Sequence, residues 1–198
     1  MIKNVIFDIG NVLLDFCWKD HIARFGFQGE KADRIAQAMM LGPIWPKLDL
    51  GLESDEDILE QFVAHTPELE QEIRLVFSDL STIVREYEGS VDWIESLKAR
   101  GYYTYYLSNY GERIRREASK ELSFLSHMDG GIMSYTVHLA KPDPAIYQTL
   151  LDRYGLKAEE CVFLDDTVRN VEAAQALGIA GIVVTSQEQA KKELETLL

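Results

Sequence analysis

From Tyr102 onward, short apolar runs alternate with stretches of helical length, and this alternation leaves the chain few ways to fold. Tyr102 to Leu107, Cys161 to Leu164 and Ile179 to Val184 are rich in β-branched and aromatic residues, and Gly131 to Ser134 is a shorter candidate. Helices are expected at 111–121 and at 144–154, where Asp143-Pro144 supplies an N-cap and a first-turn proline. Another runs from the Asp165-Asp166 pair to Leu177, with a stop at Gly178, and Ser186 with Gln189 opens a last amphipathic helix. With Val5-Ile6-Phe7 as a first strand, this pattern predicts an α/β fold, a doubly wound parallel sheet with helices on both faces.

Between the first and second strands lies a different kind of sequence. Four helices are expected around 19–26, 30–41, 54–65 and 68–87, and a fifth at 91–100 ends at Gly101. Ser54 and Asp57 have the spacing of a capping box, Pro67 ends that helix, and Leu69, Ile73, Val76, Phe77 and Leu80 recur at helical spacing. The block is far longer than the ~30 residues of a simple strand–helix–strand unit. It reads as an inserted helical cap over residues 18–86, with the core domain made of 1–17 and 87–198.

Composition narrows the partners. Asp and Glu number 33 against 20 Lys and Arg, a formal charge of −13, which repels nucleic acid and anionic membrane. No apolar run approaches the ~20 residues that span a bilayer, and the N-terminus lacks the layout of a signal peptide. Cys17 and Cys161 make no disulfide framework, so a reducing, cytoplasmic setting is expected, with the protein a monomer or weak homodimer.

Three expected strands end on polar residues: Asp8, Ser108 and the Asp165-Asp166 pair. Open α/β sheets bind ligands at the carboxyl ends of their strands, so these positions converge in space, and Lys141 opens a loop at the same end. Carboxylates gathered there need a cation, and the site as a whole is suited to a divalent ion beside an anionic ligand.

FDIGNV at 7–12, LSN at 107–109, KPDPAIY at 141–147 and FLDD at 163–166 resemble the four motifs of the haloacid-dehalogenase-like hydrolases, in the family's order. The resemblance covers essentially the whole chain and is similar to members with a helical insertion after the first motif, the C1 cap. Within the family, FDxGNV and KPxPxIY look like the subgroup that includes bacterial sugar-phosphate phosphatases acting on glucose 1-phosphate. The phosphatase domain of soluble epoxide hydrolase is a more distant likeness. The resemblance implies a Rossmann-like core and hydrolysis of a small phosphorylated metabolite, with Mg2+ as cofactor. It implies that Asp8 is the nucleophile and that Asp8, the Gly10 carbonyl and Asp166 hold the metal, with Asp165 a further ligand or an orienter of metal-bound water. Ser108 and the Asn109 backbone would bind phosphoryl oxygens, and Lys141 would offset charge at phosphorus. A dehalogenase, attacking carbon with the same Asp and no metal, is the alternative, as is a low-activity regulatory or binding member of the fold. The GNV and DD segments disfavour the dehalogenase.

Gly10 departs from the family pattern, because most of its phosphatases carry a second Asp there as proton donor to the leaving oxygen. Either the leaving group needs little protonation, or another group substitutes, or turnover is slow, with Asp15 the nearest stand-in and a turn or flap role its simpler reading. Trp45 reads as core packing with pocket lining as the other option, and Phe16, Trp18 and Tyr110 lie near the motifs. The histidines at 21, 65, 127 and 138 show no metal spacing and read as structural or exposed.

Overall fold

A computed structural model describes residues 1–198. In chain order the elements are β1 (Asn4–Phe7), β2 (Leu14–Phe16), α1 (Trp18–Arg24), α2 (Gly29–Ala38), α3 (Trp45–Leu50), α4 (Asp55–His65) and α5 (Glu70–Phe77). They continue with β3 (Val84–Glu86), α6 (Ser90–Ala99), β4 (Tyr103–Ser108), α7 (Glu112–Glu117) and β5 (Gly130–Met133). The chain closes with α8 (Pro144–Tyr154), β6 (Cys161–Asp165), α9 (Val168–Ala176), β7 (Ala180–Val183) and α10 (Gln187–Glu195).

Five strands form one parallel sheet in the order β5-β4-β1-β6-β7. Alternation along the strands explains why both faces are covered. Val5 and Phe7 of β1, with Val162 and Leu164 of β6, point into an apolar cluster that runs on into the helical block. Ile6, Cys161 and Phe163 point the other way, onto Ile146, Tyr147 and Leu150 of α8 and Ala174 of α9. A strand buried on both faces reads as a continuous apolar run, which is why β1 and β6 stand out in the sequence. The caps behave as expected, Ser54 Oγ accepting from Asp57 N at 3.1 Å and Asp143 Oδ1 from Ala145 N at 2.9 Å.

The region before α6 differs from expectation. The helix expected over 68–87 stops at Phe77, and Val84–Glu86 is a strand that pairs antiparallel with β2, which the sequence reading lacks altogether. Helix α3 is equally unanticipated. The reason is physical: a three-residue strand whose partner lies about 70 positions away has no local periodicity to read, and six residues are too few to show a helical one. The β2–β3 ribbon joins the chain entering the helical block to the chain leaving it. Apolar residues of the block, among them Ile35, Phe62, Ile73 and Phe77, belong to the same cluster as Phe7 and Leu164. No helix is long and apolar enough to cross a membrane, and Cys17 and Cys161 are buried and unpaired.

Candidate active site

Strand order reverses direction at β1, and the crevice at a sheet's switch point is where ligands bind. Asp8 is the first residue beyond β1, fixed by its amide to the Leu164 carbonyl at 2.8 Å. Ser108 ends β4 and Asp165 ends β6, so sheet pairing alone brings these neighbours of Asp8 to one edge.

Lys141 arrives from the loop before α8 and is the centre of the arrangement. Its Nζ lies 2.8 Å from Asp8 Oδ1 and 2.6 Å from Asp165 Oδ2, and its side chain is 1% exposed. The Asn109 side chain holds that loop by a reciprocal pair, donating to the Lys141 carbonyl at 3.0 Å and accepting from the Lys141 amide at 2.8 Å. Asn109 therefore braces Lys141 with its side chain. The two carboxylates outweigh burial and hold Lys141 above the ordinary lysine range, so the ammonium is charged. Burial acts in the opposite sense on Asp8, raising its pKa, with Asp165 adding to the rise and Lys141 and Ser108 opposing it.

The two acids of the 165–166 pair face different neighbours. Asp165 is fully buried, and both its oxygens are engaged: Oδ1 by the Thr167 amide at 2.7 Å, Oδ2 by Lys141, and both by Asn170 Nδ2 at 3.1 Å. Asp166 is half-buried and lines the cavity with Asp8, its Oδ2 accepting from Asn11 Nδ2 at 2.8 Å. Ligand oxygens of Asp8, Asp165 and Asp166 lie within 4.8 Å of one another. Three carboxylates against one ammonium leave a formal −2 there. That oxygen-only donor set and charge fit a hard divalent cation. Asp8 and Asp166 have oxygens turned to the cavity side, whereas Asp165 already spends its own on Lys141, Thr167 and Asn170.

The cavity above these groups has a volume of about 250 Å³. Its floor includes Asp8, Gly10, Ser108, Asn109, Lys141 and Asp166, so every residue singled out from the motifs except Asp165 reaches it. Phe16, Trp45 and Tyr110 line it as well, and Trp45 is also packed, tilted against Phe62 with ring centroids 6.2 Å apart. Trp18 does not line it. Asp15 stays outside, its carboxylate accepting from Cys17 Sγ at 3.2 Å on the β2–β3 ribbon. Of the histidines, His21 is buried between Thr82 and Val76, and none lines the cavity. Asn11, Asp49, Arg169 and Asn170 reach the cavity without having been anticipated. Asn170 and Arg169 sit within the first turn of α9, just past the acid pair, a proximity that was available in the sequence. Asp49 had no such signal, because only the docking of α3 brings it there.

A family model described as haloacid dehalogenase-like hydrolase matches residues 2–178. Mouse acyl-CoA dehydrogenase family member 10 is 32% identical over 99% of this chain and 19% of its own length. The chain thus spans about a fifth of that relative, and half of the chain matches 19% of the length of pig bifunctional epoxide hydrolase 2 at 36% identity. The sesquiterpene phosphatase astK of Aspergillus oryzae is 25% identical, over 99% of this chain and 96% of its own. Haloacid dehalogenases are among the matches too. In shape, the chain resembles a crystal structure of the HAD family enzyme bt-2542 from Bacteroides thetaiotaomicron in complex with magnesium and inorganic phosphate. That likeness has a TM-score of 0.71 and 21% identity, and covers 94% of this chain and 96% of the other.

Proposed function

Since the chain belongs to the haloacid dehalogenase-like hydrolases, we propose that it is a magnesium-dependent phosphatase of a small phosphate monoester, most naturally a sugar phosphate. The observation that carries this reading is the uncompensated charge at the strand ends. Asp8, Asp165 and Asp166 crowd together around a single lysine, an arrangement that attack on carbon does not need and that a divalent cation with a phosphate does. The dehalogenase and the regulatory readings leave that charge without a purpose.

In this reading Asp8 attacks phosphorus, the bond to the leaving oxygen breaks, and the phosphoryl group is carried on the Asp8 carboxylate until water removes it. Asp8, the Gly10 carbonyl and Asp166 would hold a magnesium ion, which would supply charge neutralisation between nucleophile and phosphate. Asp165, with both oxygens taken, acts through Lys141 by fixing its ammonium. Lys141 then offsets negative charge as it develops on the phosphoryl oxygens, with Ser108 and the Asn109 backbone as donors. The cavity of about 250 Å³ takes a small ester, and its mix of Arg169, Asn11 and Asn170 with Phe16, Trp45 and Tyr110 suits a polyhydroxylated ring with one apolar face. The helical block closes this cavity as a cap and keeps bulk water from the phosphoryl-enzyme. Neither nucleic acid nor membrane is a partner.

Phosphate release from an aryl phosphate is expected to vanish in excess chelator and to return with magnesium. Asp166→Asn is expected to need more magnesium for half-maximal rate while keeping part of its activity at saturating metal. Undiminished phosphate release in excess chelator would overturn the magnesium requirement, and no phosphate release with magnesium present would remove the phosphatase reading and return the dehalogenase one.

A further inference from the structure

Gly10, two residues past Asp8, has no side chain to give a proton, so the cavity must hold another acid if esters with basic leaving groups are to be cleaved. Three carboxyls line it: Asp8, Asp166 and Asp49. Asp8 is the nucleophile in the reading above and Asp166 belongs to the metal end. We propose that Asp49, carried by the helical block on α3, is the proton donor to the leaving group. This inference rests on the phosphatase reading and deepens it.

Three contacts fix Asp49 against the sheet's ligand-binding edge. Its own carbonyl accepts from the Ser134 hydroxyl, which in turn accepts from the Tyr110 amide at 2.9 Å. The next carbonyl, of Leu50, lies 2.9 Å from His138 Nδ1. Leu48 packs so tightly on Gly111 that a Cβ there would come within 2.7 Å of Leu48 Cδ2. The helix that bears Asp49 is thus clamped to the loops following β4 and β5, which include the phosphate-binding end of the site. A donor to the leaving oxygen has to stand across the cavity from the nucleophile, and Asp49 is the carboxyl that the helical block, with Trp45 and Val84, contributes to the cavity wall.

The surroundings suit a neutral carboxyl. Asp49 is half-buried and lines the cavity, and loss of solvent, then the charge of Asp8, push its pKa up to about 7 against a weaker pull from Lys141. The Tyr110 hydroxyl is buried without a partner and lies close enough to Asp49 for that carboxyl's charge to disfavour its ionisation. Arg169 and Asp166 are the other charged groups on the cavity wall. An acid poised near the working pH is the efficient donor.

The proton balance closes. As Asp8 Oδ bonds to phosphorus and the bond to the ester oxygen breaks, the Asp49 proton passes to that oxygen and the alcohol leaves. Water then bonds to phosphorus, the bond to Asp8 breaks, and the water's proton returns to the Asp49 carboxylate.

The test is a series of aryl phosphates from dinitrophenyl to methoxyphenyl, with magnesium saturating, for wild type and Asp49→Asn. kcat/KM reports only the steps through phosphoryl transfer to Asp8. It is expected to vary little with leaving group in wild type. In the variant it is expected to fall progressively, by about 10²–10⁴-fold at the basic end, and the alkaline fall of rate that loss of the Asp49 proton gives wild type is expected to disappear. Gly10→Asp is expected to flatten the variant's series again. Gly10 is not at positive φ and an added Cβ there meets nothing within 4 Å, so the new carboxyl has room. An equal loss across the series in Asp49→Asn, a rise in KM alone, or no loss would each overturn the assignment. Failure of wild type to release phosphate from any ester would instead overturn the phosphatase reading beneath it.

Discussion

Asp8→Asn is expected to lower kcat by at least about 10⁴-fold while leaving the fold intact. Replacing a covalent nucleophile typically removes several orders of magnitude, because the amide keeps the shape but cannot form the phosphoryl-enzyme. Stability is the informative companion measurement. Burial is the largest influence on Asp8 and works against its charged form, and Lys141 keeps Asp165 as a partner at 2.6 Å when Asp8 is neutral. In metal-free buffer at neutral pH the thermal midpoint of Asp8→Asn is therefore expected to be no lower than that of wild type. A variant keeping a tenth of the wild-type rate would rule out the covalent route, and a collapsed midpoint would mean that Asp8 has a structural duty not visible in its contacts.

Lys141→Met should harm both stability and rate. The side chain is held between two buried carboxylates and has almost no exposure. Removing it leaves Asp8 and Asp165 facing each other uncompensated, a change that costs about 3–5 kcal/mol when one partner of a buried ion pair is taken away. The pH dependence follows in sign. Without the ammonium, the folded-state pKa of Asp8, already raised by burial, moves further above its unfolded value. The folded variant then holds a proton that the unfolded chain has released, so its stability is best at low pH and is lost as pH rises through that folded-state value. Denaturant unfolding of metal-free protein is expected to show a deficit against wild type that is larger at pH 8 than at pH 5. Activity with saturating magnesium is expected to fall by about 10²–10³-fold, as when one preorganised charge-stabilising donor is lost. A pH-independent deficit would mean that Lys141 matters through packing over Phe163, whose ring centre lies 5.2 Å from Nζ, and not through its charge.

The sheet and the floor of the site are legible in the chain's apolar runs and their polar stops. Asp8 and Asp165 follow or end strands buried on both faces, Ser108 ends one that is mostly buried, and such strands announce themselves as apolar or aromatic runs with a polar stop. Parallel pairing then brings those stops to one edge without further instruction. Lys141 was legible through its motif, although its bridge between two carboxylates was not, since a spacing does not say which oxygens an ammonium will find. The division of labour between Asp165 and Asp166 was likewise a tertiary matter: neighbours in a strand end point to opposite sides, one into Lys141, Thr167 and Asn170, the other toward Asn11 and the cavity. The roof of the site is set by long-range packing instead. The β2–β3 ribbon is held by pairing between Leu14–Phe16 and Val84–Glu86, distant segments with no local signature. Helix α3 is six residues long and is placed by its contacts with Gly111, Ser134 and His138. Asp49 enters the cavity because that docking carries it there, and Asp15, nearer in sequence to Asp8, is kept out because β2 turns it toward Cys17. Residues on the strand ends are placed by a repeating backbone pattern, which a sequence displays. Those on the helical block are placed by how one apolar face meets another, which it does not.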